Sequence, residues 1–159
     1  MDGQKILQLG LLLFAAAAVV ILVSRETKRQ APGEGVADAV AGELPQKAVV
    51  AYYFHGDVRC PTCRDIEEYS REAITTGFTA QLAAGNVEWR VVNYEVPANQ
   101  HFATEYEIVA PTVVVVRTDG GRVADWRNLS RVWELVGEKD ALMKYIRQET
   151  QAMLDASAG

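Results

Sequence analysis

At 159 residues, 49% hydrophobic and 23% charged, the chain has room for one globular domain and one appended segment. A net charge of -5, with no basic stripe interleaved with aromatics, argues against a nucleic-acid surface. Nothing repeats at a fixed period, and no stretch has the biased composition that marks disorder.

The appended segment comes first. Ile6 to Val23 carries a single polar side chain, Gln8, and is bounded by Lys5 on one side and Arg25, Lys28 and Arg29 on the other. Its 18 residues reach the length of a spanning helix. A cleaved signal peptide has a shorter apolar region and a small-x-small site after it, which Leu22-Val23-Ser24 fits badly. No cysteine follows the run, so a lipoprotein anchor is excluded. The expectation is an uncleaved membrane anchor over residues 1–25. Its orientation is contested within the sequence. Three basic residues after the span would hold the domain in the cytoplasm by the positive-inside rule. The layout of a short tail, a span and a globular domain is that of an N-in signal anchor, which places the domain outside. The second reading is the expectation adopted.

Residues 26–46 read as a flexible linker, with Pro32, Gly33, Gly35, Gly42 and Pro45 among alanines and acids and no sustained apolar period. The globular domain is expected over 47–151, followed by a short tail over 152–159. Ala48 to Phe54 is a continuous apolar, β-branched and aromatic run, the pattern of a strand buried on both faces. From Cys63 to about Thr76, Ile66, Ala73 and Ile74 recur at helical spacing. Phe78 to Ala84 predicts a second short helix, Val87 to Asn93 a second strand, and Ala98 to Tyr106 another short helix. Thr112 to Arg117 predicts a third strand, turned by Asp119-Gly120-Gly121 into a fourth around Arg122 to Trp126. Lys139 to Leu154 is amphipathic, with Leu142, Tyr145, Ile146 and Met153 on one face. The order βαβαββα implies an α/β fold: a mixed four-stranded sheet with helices on both faces.

The chemistry concentrates in Arg59-Cys60-Pro61-Thr62-Cys63-Arg64, which holds both cysteines of the chain. A disulfide between them closes so small a loop that stapling is a poor reason for the pair. The pair falls where a buried strand turns into a helix, so Cys60 is expected at the helix N-terminus. Unsatisfied backbone N–H groups and the positive end of the helix dipole favour a thiolate there. Pro61 suits a first helical turn, and Arg59 and Arg64 add positive charge. A reachable thiolate with a second thiol one turn behind it is an arrangement for thiol–disulfide exchange, with Cys60 attacking and Cys63 resolving. A purely structural pair remains the bland alternative. The rival class is metal binding, of zinc, copper or trivalent arsenic, because Cys60, Cys63, His55 and His101 form a zinc-like inventory. Their spacing matches no regular finger, and the flanking arginines would repel a cation.

Over Lys47 to about Glu149 these residues resemble the thioredoxin superfamily. The resemblance rests on CPTC at the strand–helix turn, and on Tyr106 to Pro111-Thr112 leading into a valine strand and a glycine hairpin. It implies a thioredoxin-like fold, a redox-active Cys60–Cys63 disulfide with no other cofactor, and a cis bond at Pro111 packed against that disulfide. There are departures. Arg59 stands where thioredoxins carry a tryptophan, and Tyr52, Tyr53 and Phe54 leave no counterpart of their buried aspartate. The proton leaving Cys63 then needs another acceptor, for which His55 and Glu67 are the local candidates. The stretches YYFHGDVRCPTC, VNYEVPANQHFATEYEIV and WRNLSRVWEL are similar to a narrower bacterial family, the ArsF-type thioredoxin-like subunits of nitrophenyl-compound (aromatic arsenical) nitroreductase systems. That likeness implies attachment to the bacterial cell membrane and a reductase subunit or permease as redox partner.

Overall fold

The computed structural model describes residues 42–157. Strand β1 (Val49–His55) is followed by helices α1 (Pro61–Gly77) and α2 (Thr79–Ala83), then by β2 (Val87–Asn93). A single 3₁₀ turn (Pro97–Asn99) and helix α3 (His101–Glu105) lead to β3 (Thr112–Asp119) and β4 (Arg122–Asn128). Helices α4 (Val132–Leu135) and α5 (Lys139–Asp155) follow. The strands lie in the order β2-β1-β3-β4, with β1 parallel to β2 and antiparallel to β3, and β3 antiparallel to β4. The mixed four-stranded sheet read from the sequence is therefore present.

Side chains of a strand alternate between faces, and this divides the core in two. Val49, Ala51 and Tyr53 of β1 join Val113 and Val115 of β3 on one face, under Ile66, Ala73 and Ile74 of α1 and Leu142, Ile146 and Met153 of α5. Val50, Tyr52 and Phe54 join Val114 and Val116 on the other, against Phe102, Tyr106 and Ile108. Because β1 is central and covered on both sides, all seven of its residues are buried. The two-residue turn at Gly120 and Gly121 has φ of 57° and 71°, the left-handed pair that a tight hairpin of this twist needs.

Two expected boundaries move. The domain's ordered contacts begin ahead of Lys47: Arg90 donates to the carbonyls of Gly42 (2.9 Å) and Glu43 (3.1 Å), and Gly121 N–H donates to Gln46 (3.1 Å). At the other end the domain runs past 151: α5 ends at Asp155, one residue beyond the expected Leu154, with Met153 wholly buried in the larger core. Helix α4 was not expected. Among the described residues, no helix is long and apolar enough to cross a membrane. The expected span over 6–23 and most of the expected linker lie outside the described residues.

Candidate redox site

Strand β1 delivers the chain to the loop Gly56 to Arg59, and the loop delivers it to α1. Cys60 is the N-cap of that helix, in extended conformation (φ -69°, ψ 159°), and Pro61 opens the first turn. Proline belongs there because a first-turn residue has no intrahelical acceptor for an N–H. The Sγ of Cys60 accepts the backbone N–H of Cys63 at 3.0 Å, as an N-cap side chain normally does. Cys60 and Cys63 are joined as a disulfide with their Cα atoms 5.0 Å apart. Cys60 is half-buried, while Cys63 is only 4% exposed. The two sulfurs thus differ in access, as their positions relative to the helix dictate. Thr62 is half-buried in the first turn and Arg64 is exposed on the helix surface.

Beneath the disulfide, the Tyr53 hydroxyl donates to the Cys63 carbonyl at 2.6 Å. Burial pushes the Tyr53 phenol up to about 12, against the opposing pull of Arg59. The Arg59 guanidinium lies 6.0 Å from the Tyr53 ring centroid and forms an ion pair with Glu67. This changes the expectation for Arg59. Its charge is held by a carboxylate one helical turn beyond Cys63 rather than left free. Arg59, Arg64, Glu67, Glu68 and Arg71 together line an open depression beside the site.

A clamp that sequence reading missed holds the loop ahead of Cys60. Asp57 N–H donates to Glu95 Oε2 (2.7 Å), Asn93 Nδ2 donates to Asp57 Oδ1 (2.7 Å), and Glu95 N–H donates to Asn93 Oδ1 (2.9 Å). Asn99 Nδ2 donates in turn to the Asn93 carbonyl at 3.0 Å. Gly56 sits tight against this clamp, since a Cβ there would come within 2.7 Å of Glu95 Oε1. The partners are 36 to 38 residues apart, so only the parallel pairing of β1 with β2, which sets His55 beside Asn93, brings them together.

His55 is buried at the end of β1, its ring 6.1 Å from that of Tyr53. Its Nδ1 lies 2.8 Å from the Gly56 carbonyl, which only accepts, so this nitrogen carries the proton. His101 lies on α3, its ring 4.0 Å from Phe102. Among the described residues, no three or more His, Cys, Asp or Glu side chains converge as a metal site.

Pro111 stands at the same end of the sheet, because Thr112 pairs with Phe54 at the end of β1. The cis bond implied by the thioredoxin resemblance is not found: no cis peptide bond occurs among the described residues. An X–Pro bond is trans unless its surroundings select otherwise. Here the reversal after α3 is completed before the proline, at Glu107 with φ 52°. Asn128 holds that turn through the carbonyls of Tyr106 (3.0 Å) and Glu107 (3.2 Å), and Trp133 Nε1 donates to the Pro111 carbonyl at 2.8 Å. Pro111 itself lies in a bend, and β3 begins at the next residue, Thr112.

No protein-family model and no curated protein matches the chain. Solved structures that it is similar to include human ERp44 in its zinc-bound form, at 20% identity and a TM-score of 0.44 over 66% of this chain and 27% of that one. Thioredoxin from Trypanosoma brucei brucei is similar at 17% identity and a TM-score of 0.40, over 72% of this chain and 96% of the other. Oxidised mitochondrial thioredoxin 3 from Saccharomyces cerevisiae is similar at 18% identity and a TM-score of 0.39, over 65% and 80% respectively.

Proposed function

We propose that this protein is a thioredoxin-like thiol–disulfide oxidoreductase, passing electron pairs between its Cys60–Cys63 couple and the dithiol or disulfide of a partner protein. The carrying observation is the asymmetric disulfide at the start of α1: a half-buried Cys60 whose sulfur already accepts a backbone N–H, joined to a recessed Cys63. The helix-terminal N–H that meets the Cys60 sulfur in the disulfide is equally placed to stabilise its thiolate. A partner thiolate attacks Cys60 Sγ, Cys63 leaves, and a mixed disulfide forms at the reachable sulfur. A second partner thiol then displaces Cys60 and completes the transfer of two electrons.

The finer reading follows the resemblance to the thioredoxin-like subunits of nitroaromatic and arsenical reductase systems. In it, residues 6–23 anchor the protein in the bacterial cell membrane, the domain lies outside the cytoplasm, and the partner is a reductase subunit or permease. Pro111 and its neighbours then lie beside the bound partner.

Reduced Cys63→Ser, offered a partner disulfide, is expected to accumulate a mixed disulfide through Cys60, because the thiol that would displace the partner is gone, while Cys60→Ser traps little. Equilibration of the wild-type couple with a glutathione buffer gives its potential. A value of about -270 mV marks a donor of electrons and one of about -120 mV an acceptor. A pair that does not equilibrate with glutathione, in a protein whose Cys63→Ser variant traps nothing, would sink the proposal.

A further inference from the structure

The Arg59–Glu67 ion pair lies between the two cysteines in an unusual sense. Arg59 is the residue before Cys60, and Glu67 is one turn beyond Cys63 on the same helix, so the pair joins the chain on either side of the disulfide. Both side chains are largely withdrawn from water, at 29% and 20% exposure. Only one face of the guanidinium is used. While Nη2 meets Glu67, Arg59 Nε is buried and has no hydrogen-bond partner among the described residues. A buried N–H without an acceptor is costly, typically about 1–3 kcal/mol, and calls for a reason.

Charge balance supplies one. The disulfide is neutral. When a partner dithiol reduces it, two electrons enter, one proton goes to Cys63, the other to solvent, and Cys60 is left as a thiolate. A full negative charge then appears on the residue next to an arginine that has an unused buried donor. We propose that Arg59 changes partner with redox state: it is held by Glu67 in the disulfide form and turns to the Cys60 thiolate in the dithiol form, releasing the Glu67 carboxylate. Arg59 is a positioning residue for the thiolate, and Glu67 is the counterweight that sets how much of that stabilisation the dithiol form obtains. The other charges facing the pair are Arg64, Glu68 and Arg71 around the depression, with the Tyr53 ring below. Arg64 and Arg71 remain in water on the helix surface.

This rests on the thiol-exchange reading, and the test separates the two. The readout is the pH midpoint of Cys60 alkylation by iodoacetamide in the reduced full-length protein. Arg59→Gln is expected to raise that midpoint by about one unit, as loss of an adjacent opposite charge does. Glu67→Gln is expected to lower it, because Arg59 is then fully available. Simple superposition of fields predicts the same two signs, so the double variant decides. With partner exchange, Glu67→Gln has little effect once Arg59 is gone. If the two shifts add, the exchange is wrong. A second measurement needs no substitution: the Arg59 Nε–H resonance in ¹⁵N-labelled protein should gain protection from solvent exchange on reduction. Equal exchange in both redox states would overturn the proposal even if the cysteines react as described.

Discussion

Tyr53 shows how much one side chain carries at this site. Its ring fills the larger core, and its hydroxyl closes the Cys63 carbonyl at 2.6 Å. Tyr53→Phe keeps the packing and removes that bond, leaving the Cys63 carbonyl its helical partner alone, so a loss of about 1 kcal/mol in urea unfolding is expected. The same residue gives a pH signature. The folded phenol titrates near 12, above the ordinary value of 10.0, so the folded state holds a proton that the unfolded chain has lost. Its contribution is complete below pH 10 and drains away between about 10 and 12, and Tyr53→Phe should flatten that alkaline decline. An unchanged alkaline slope in the variant would show the phenol to be less protected than its burial implies. The cysteine pair was legible in the sequence because spacing and flanks are local. The Tyr53–Cys63 bond was not, because a run of β-branched and aromatic residues does not say which hydroxyl faces which helix. The cis bond expected at Pro111 is absent for a related reason: a short motif does not carry the isomer of its peptide bond, and no cis bond occurs among the described residues.

Among the elements, α1 bears the disulfide at its first turn and must be fixed at its last. Arg147 of α5 does this, donating from Nε to the Ala73 carbonyl (3.2 Å) and from Nη2 to Thr76 Oγ1 (2.8 Å). The C-terminal end of a helix carries partial negative charge, so a guanidinium is well suited to it. Arg147→Ala is expected to cost about 1–2 kcal/mol, read as a lower urea midpoint with unchanged slope. Gly77→Ala approaches the same clamp from the other side, since its Cβ would lie 2.9 Å from Arg147 Nε. If the two substitutions destabilise independently, their costs add; if they share the clamp, the double variant is little worse than Arg147→Ala. Helices α1 and α5 were readable because each keeps an apolar stripe over 17 residues. Helix α4 has only four, one turn without a side-chain cap, and periodicity has no purchase on so short a piece. The Asp57–Asn93–Glu95 clamp was invisible for the opposite reason: it is long-range and exists only once β1 and β2 have paired.

For the whole molecule, the chemistry proposed requires a fold that survives the loss of its own cross-link. The architecture provides for this. The cores on the two faces of the sheet draw on β1, β2, β3, α1, α3, α4 and α5, and Cys60 belongs to neither. The disulfide spans a sequence separation of 3, a loop so short that its entropic contribution is at most about 2 kcal/mol. Most of the stability should therefore remain in the dithiol form. Full-length protein reduced with excess dithiothreitol is expected to unfold cooperatively, within about 2 kcal/mol of the oxidised form. The two forms are linked: their stability difference equals the difference in the cysteine couple's potential between folded and unfolded chain. A thiolate favoured by the α1 terminus narrows the gap, and could reverse its sign, as the pH rises. Oxidised and reduced unfolding curves that converge with rising pH would tie the fold to the redox site. Collapse of the tertiary structure on reduction would instead make the disulfide a staple, and the division of labour between Cys60 and Cys63 would lose its physical basis.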